Sequence, residues 1–163
     1  MSWDKEYLKL ALEEARKCEP TATAYCVGCI IVEPVSNRIV ATGFSRELPG
    51  NTHAEECALR KLLQTKTTED GLDMYVSMEP CSERLSGNKP CADRIVEAGR
   101  LIKRVILGVR EPDEFVKCVG VDTLQEHGII VLRNDDEELE RECLEVARRG
   151  HAEHAFGSCS KLP

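Results

Sequence analysis

Strand-like and helix-like segments alternate along nearly the whole chain, and this alternation limits the fold more than any other feature. From Asp4 to Cys18, Tyr7, Leu8, Ala11, Leu12 and Ala15 recur at three- and four-residue spacings among charged residues, which is the period of an amphipathic helix. Cys26 to Val32 is an apolar, β-branched run, Ser36-Asn37 is a turn signal and Arg38 to Gly43 is a second short apolar run, so a hairpin is expected. Thr52 reads as the N-cap of a helix from His53 to Gln64, with Glu55 and Glu56 in its first turn, where carboxylates suit the helix dipole. A polar loop, Thr65 to Gly71, precedes a buried strand from Asp73 to Met78, and a loop rich in Ser, Gly, Asn and Pro then runs to Pro90. A helix over Cys91 to Ala98, closed by Gly99, leads to a strand over Arg104 to Val109. A short helix over Val121 to His127 ends at Gly128, and Ile129 to Leu132 is the last strand. Asp136 to Arg149, with acidic residues first and Gly150 beyond, is a final amphipathic helix. After the hairpin every later pair of strands is separated by a helix, which implies right-handed parallel crossovers. The expected fold is α/β, a three-layer α/β/α sandwich on a five-stranded mixed sheet.

A length of 163 residues fits one domain, read as residues 1–150 followed by a tail over 151–163. His151 and His154 fall in that tail, which is expected to be flexible, the other reading being a flap over a pocket. With 22 Lys and Arg against 29 Asp and Glu, the formal charge of −7 argues against a broad nucleic-acid footprint. No nucleic acid and no membrane is therefore expected as a partner. An anionic small molecule is still compatible, through a local basic pocket. No apolar run approaches the length of a membrane span, and the charged N-terminus lacks the apolar core of a secretion signal. The expectation is a cytoplasmic protein in a reducing compartment. There, nine cysteines, an odd number, are thiols or metal ligands rather than a disulfide framework.

One cluster combines residue type, spacing and local structure: His53-Ala54-Glu55 with Pro80-Cys81 and Pro90-Cys91. His53 opens a helix, Cys81 follows a buried strand and Cys91 opens the next helix, so the three can converge at one end of the sheet. Two thiolates and a neutral imidazole suit Zn²⁺, and three protein ligands rather than four leave a position for water, as in catalytic zinc sites. Glu55 is then the base, two residues from the histidine and placed to reach that water rather than the metal. The chemistry this suits is hydrolytic removal of an amine from an unsaturated ring carbon. Glu55 takes a proton from water, gives it to a ring nitrogen and then to the leaving amine. A purely structural zinc would need a fourth ligand, for which Cys57 is the nearby candidate; Cys57 is expected to be buried packing instead. Cys26 and Cys29 form a C-x-x-C, but strand alternation should send them to opposite faces.

The cluster resembles the His-x-Glu with Pro-Cys-x-x-Cys signature of zinc nucleobase deaminases, except that nine residues, Ser-Glu-Arg-Leu-Ser-Gly-Asn-Lys-Pro, separate Cys81 from Cys91. A ligand loop of that length looks like the riboflavin-pathway pyrimidine deaminases. Thr42-Gly-Phe-Ser-Arg-Glu-Leu-Pro-Gly-Asn-Thr-His-Ala-Glu55, Met78-Glu-Pro-Cys-Ser82 and Glu111-Pro-Asp-Glu-Phe-Val-Lys117 closely resemble the fungal members of that family, and the likeness runs from Leu8 to Leu132. The resemblance implies a cytidine-deaminase-like fold, one zinc per chain and a homodimer. It also implies deamination of 2,5-diamino-6-ribitylamino-4(3H)-pyrimidinone 5′-phosphate to the 5-amino-6-ribitylamino-uracil phosphate. Bacterial relatives carry Pro-Asn-Pro before the Val-Gly of the first strand, where this chain has Thr23-Ala24-Tyr25 before Cys26-Val27-Gly28, so no ring contact of that asparagine carries over.

Other zinc deaminases of this fold, acting on cytosine, a cytidine nucleotide or an RNA base, stay open as alternatives, as does an inactive zinc-stabilised binding module. For the phosphate, Arg84, Lys89 and Lys117 are the candidate cations. Ser45, Asn51, Ser82 and Asp113, with Ala54 between ligand and base, are candidates to contact the ring or ribityl chain. Glu79 is expected to shape the strand-to-loop turn.

Overall fold

The computed structural model describes residues 2–65, 70–112 and 119–152. Among them the chain forms α1 (Ser2–Arg16), β1 (Gly28–Glu33), β2 (Arg38–Phe44), α2 (Ala54–Gln64), β3 (Leu72–Met78), α3 (Cys91–Glu97), β4 (Ile102–Val109), α4 (Gly120–Glu126), β5 (Ile130–Arg133) and α5 (Glu137–Ala147). The strands make one five-stranded sheet in the order β2-β1-β3-β4-β5. β1 is antiparallel to β2 and β3, while β3, β4 and β5 are parallel. The expected mixed sheet is therefore present. The crossovers are parallel as the alternation implies, with one refinement: β2 and β3 run the same way, but β1 is inserted between them.

Helices α1 and α5 pack on one face of the sheet and α2, α3 and α4 on the other, each face closing its own apolar cluster. All five apolar residues of the α1 stripe are buried, and α1 lies against β1 and β3. β3 is buried at every position, as a central strand covered on both faces must be. Each large aliphatic side chain so removed from water contributes about 1.5–3 kcal/mol. Cys29 and Cys26 belong to different clusters on opposite faces, so the C-x-x-C is no paired site. The seven described cysteines are all free and buried, and Cys118 and Cys159 lie outside the described residues.

Two glycines fix how closely helices approach the sheet. A Cβ on Gly28 would lie 1.9 Å from the Ala11 carbonyl oxygen, and one on Gly43 would lie 2.2 Å from that of Ala54. The first turn of α2 is thus set hard against β2.

Thr52 is not the N-cap. His53 takes that position with extended backbone and no side-chain capping bond, because the Thr52 hydroxyl is used elsewhere. It donates to the Leu48 carbonyl at 2.7 Å and accepts from the Cys57 thiol at 3.2 Å. Asp136 does cap α5, accepting the Leu139 N–H at 2.9 Å.

His151 does not hang free. Its Nε2 donates to the Ala24 carbonyl at 2.9 Å, and its ring sits 5.3 Å from that of Tyr25; His154 lies outside the described residues. No described helix is long and apolar enough to cross a membrane.

Candidate active site

The parallel strands β3 and β4 end on the same side of the sheet, where open α/β sheets place their ligand sites. The starts of α2 and α3 lie there too. His53 stands immediately before α2, Cys81 three residues beyond β3, and Cys91 is the first residue of α3. His53 Nδ1 is 3.6 Å from Cys81 Sγ and 3.5 Å from Cys91 Sγ, and the three donor atoms lie within 4.8 Å of one another. Among the described residues no other group of His, Cys, Asp or Glu could hold a metal ion. Cys57, whose thiol is turned to Thr52, is not part of it.

The donor set fits zinc on distance and on charge. Zn–N and Zn–S bonds of about 2.05 and 2.3 Å at a tetrahedral angle place the two donors about 3.6 Å apart, matching both His53–Cys separations. The two thiols share one proton unequally. The hydrogen bond with Cys91, opposed by burial and aided by His53, draws the Cys81 thiol down to about 4. The same bond, with burial, pushes Cys91 up. One buried thiolate forces its neighbour to keep a proton, a conflict that a dication between them relieves.

Glu55 lies in the first turn of α2, 3% exposed. Burial, then the nearby Cys81 charge, raises its carboxyl above the ordinary value, and it sits beside the Cys91 thiol. With His53 and Cys81 it lines a cavity of about 180 Å³. One wall is the Thr23-Ala24-Tyr25 segment, and Ser45, Arg46 and Asn51 from the β2–α2 loop line it as well. The sequence reading did not single out Arg46 or Tyr25 as site residues. The Tyr25 segment departs in sequence from the Pro-Asn-Pro of bacterial relatives, whereas nothing local distinguishes Arg46 from a solvated loop arginine. Arg46 has φ +63° and straps the wall by donating to the carbonyls of Tyr25 and Glu19 at 3.4 and 2.8 Å.

The remaining candidates separate clearly. Ser45 and Asn51 line the cavity, though the Ser45 hydroxyl accepts the Val27 N–H at 2.9 Å. Ser82 and Ala54 are outside the lining. Ser82 accepts the Val119 N–H at 3.0 Å, and Ala54 is fully buried against Gly43. Lys89 also lies outside it, its ammonium 2.6 Å from a Glu97 carboxylate oxygen. Arg84 lines the cavity, but its side chain is 1% exposed and paired with Glu56 at 3.2 Å, so it is not a free cation awaiting a phosphate. Asp113 and Lys117 lie outside the described residues. Glu79 shapes the turn after β3, as expected, by accepting the Val121 N–H at 3.2 Å from the start of α4.

This fold, with two cysteines and a histidine gathered at the mouths of α2 and α3 and a carboxylate beside them, defines a zinc-binding deaminase architecture. Residues 1–109 match the cytidine and deoxycytidylate deaminase zinc-binding region, and the chain belongs to that family. A diaminohydroxyphosphoribosylamino-pyrimidine deaminase of Schizosaccharomyces pombe is 50% identical over 149 residues, covering 90% of this chain and 35% of that protein. The riboflavin biosynthesis protein RibD of Bacillus amyloliquefaciens is 34% identical over 152 residues, covering 90% of this chain and 38% of that protein. The chain therefore spans little more than a third of the length of these relatives. The Aspergillus oryzae Rib2 deaminase, crystallised as a C-terminal deletion mutant in complex with DARIPP, is 36% identical with a TM-score of 0.78, covering 91% of this chain and 92% of that one.

Proposed function

We propose that this chain hydrolyses the 2-amino group from 2,5-diamino-6-ribitylamino-4(3H)-pyrimidinone 5′-phosphate, releasing ammonia and the 5-amino-6-ribitylamino-uracil phosphate of riboflavin biosynthesis. The observation that carries the reading is the buried Glu55 carboxylate on the cavity wall beside the His53, Cys81 and Cys91 donors. The likeness to the Aspergillus oryzae deaminase supports the substrate class. His53, Cys81 and Cys91 would hold one zinc ion per chain, which would supply the Lewis acidity that brings the pKa of water near neutrality.

The chain's own residues do the rest. The cavity beside the Thr23-Ala24-Tyr25 wall receives the pyrimidine. Glu55 accepts a proton from the attacking water and delivers it to the ring nitrogen next to the carbon under attack; it then takes the remaining proton from the hydroxyl added to that carbon and passes it to the departing amine. One water is consumed for each ammonia released, and the carboxylate returns to its starting state. With Arg84 and Lys89 engaged by carboxylates, Lys117 is the cation we assign to the phosphate. Ser45 and Asn51 are the described candidates for polar contact with the ligand. The five described cysteines outside the metal site are buried thiols, in keeping with the reducing, cytoplasmic setting that we propose, and the resemblance carries a homodimer with it.

Ammonia release from the ribityl and ribosyl phosphates, their dephosphorylated forms and cytidine tests the reading. Fast turnover of the ribityl phosphate alone is the expected result. Comparable efficiency on its dephosphorylated form removes the phosphate anchor, and fast turnover of cytidine moves the chain to the nucleoside deaminases.

A further inference from the structure

The nine residues between Cys81 and Cys91 contain no helix or strand, yet a three-ligand metal centre needs its donors held to a fraction of an ångström. A single side chain answers that need. Arg84, three residues beyond Cys81, donates from Nη2 to the Asn51 carbonyl at 2.6 Å, two residues before His53. Its Nη1 donates to the Glu56 carboxylate at 3.2 Å, one residue past Glu55, and to the Lys89 carbonyl at 3.4 Å, two residues before Cys91. One guanidinium thus touches the chain beside every donor. The neighbouring backbone adds a turn, with the Gly87 N–H donating to the Arg84 carbonyl at 3.0 Å.

Glu56 is itself 4% exposed and divides its oxygens. Arg60 and Arg94 reach Oε1 at 2.6 and 3.2 Å, and among the described residues Arg84 alone reaches Oε2. The Nε of Arg84 is buried with no hydrogen-bond partner among the described residues, so the group is fixed through Nη1 and Nη2. A lysine could not span these acceptors, because an ammonium lacks the planar fork of donors.

We infer that Arg84 is a positioning residue of the metal centre, whose guanidinium sets the loop of Cys81 and Cys91 against the start of α2 that carries His53 and Glu55. The inference rests on the reading of His53, Cys81 and Cys91 as zinc ligands. It replaces a phosphate-binding role for Arg84 with one that acts through the ligands.

Zinc release to a chromophoric chelator, measured on zinc-loaded protein with near-UV circular dichroism as the check of folding, tests it. Arg84→Lys should release zinc about 10–100-fold faster, the usual effect of removing a partner outside the ligands. Glu56→Gln should move release the same way, and the double variant should release zinc no faster than Arg84→Lys alone. Arg60→Ala, which touches Glu56 but not the ligand loop, should keep the unmodified rate. In turnover, Arg84→Lys should lower kcat with KM little changed, equally for phosphorylated and dephosphorylated substrate. An unmodified release rate in folded Arg84→Lys overturns the inference, as does a loss confined to KM for the phosphorylated substrate, which would make Arg84 a phosphate ligand. An unmodified protein that takes up no zinc fails at the earlier step and removes the metal reading together with this one.

Discussion

The backbone N–H of Cys91 points at the Sγ of Cys81, 3.3 Å away. The next N–H, that of Ala92, donates to the Cys81 carbonyl at 3.1 Å. Helix α3 begins behind Pro90, which offers no side-chain acceptor, so the helix satisfies its first N–H groups with the other ligand cysteine. Secondary structure itself therefore holds the two sulfurs together and favours the thiolate on Cys81.

Zinc content should follow the three donors and no other cysteine. The unmodified chain should carry one zinc, Cys81→Ser and Cys91→Ser should each lose it, and Cys57→Ser, whose thiol faces Thr52, should keep it. Elemental analysis of the purified proteins decides this. Zinc retained in Cys91→Ser and lost in Cys57→Ser would place the centre elsewhere.

Glu55→Gln should leave zinc and fold intact while lowering turnover by about 10²–10⁴-fold, since the amide matches the shape but cannot shuttle a proton. Steady-state assays with saturating substrate, beside a zinc determination, measure it. Near-normal turnover would pass the proton-transfer role to another group.

Gly43→Ala should damage stability and site together. The added Cβ would meet the Ala54 carbonyl at 2.2 Å and the Ala58 nitrogen at 2.7 Å, both backbone atoms that cannot swing aside. The first turn of α2 must retreat from β2, at a cost of about 1–3 kcal/mol, taking His53 and Glu55 with it. Urea unfolding should show the loss and turnover should fall beyond it; unchanged stability would mean that α2 adjusts freely.

Asp136 ties α5 to α1 by pairing with Lys5 and capping Leu139. The Lys5 hydrogen bond first, then the Leu139 N–H, holds its carboxyl below the ordinary value of 3.8. A carboxyl depressed on folding stabilises the fold above its unfolded pKa and loses that contribution as pH falls through the folded one. Asp136→Asn should thus lower the thermal midpoint at neutral pH, and the gap from the unmodified protein should close in acid. A gap that widened on acidification would contradict this assignment.

The helices, the strands and the types of the donor residues can be read from the order of the amino acids. The α1 stripe of Leu8, Ala11, Leu12 and Ala15 was legible because helical periodicity is local, and all four are buried. The gathering of His53, Cys81 and Cys91, with Glu55 on the same cavity, was legible because donor-type residues stood next to a strand end or a helix start. Tertiary structure decided the rest. It inserted β1 between β2 and β3, since strand order depends on which apolar faces bury each other. It turned the Thr52 hydroxyl to Leu48 and Cys57 and left His53 as the N-cap of α2. It brought the rings of Tyr25 and His151, far apart in sequence, to within 5.3 Å of each other. Above all it gave Arg84 to a carboxylate 28 residues away. A loop arginine reads the same in sequence whether it meets solvent, phosphate or a buried glutamate, because the strongest partner of a charge is set by packing between remote segments.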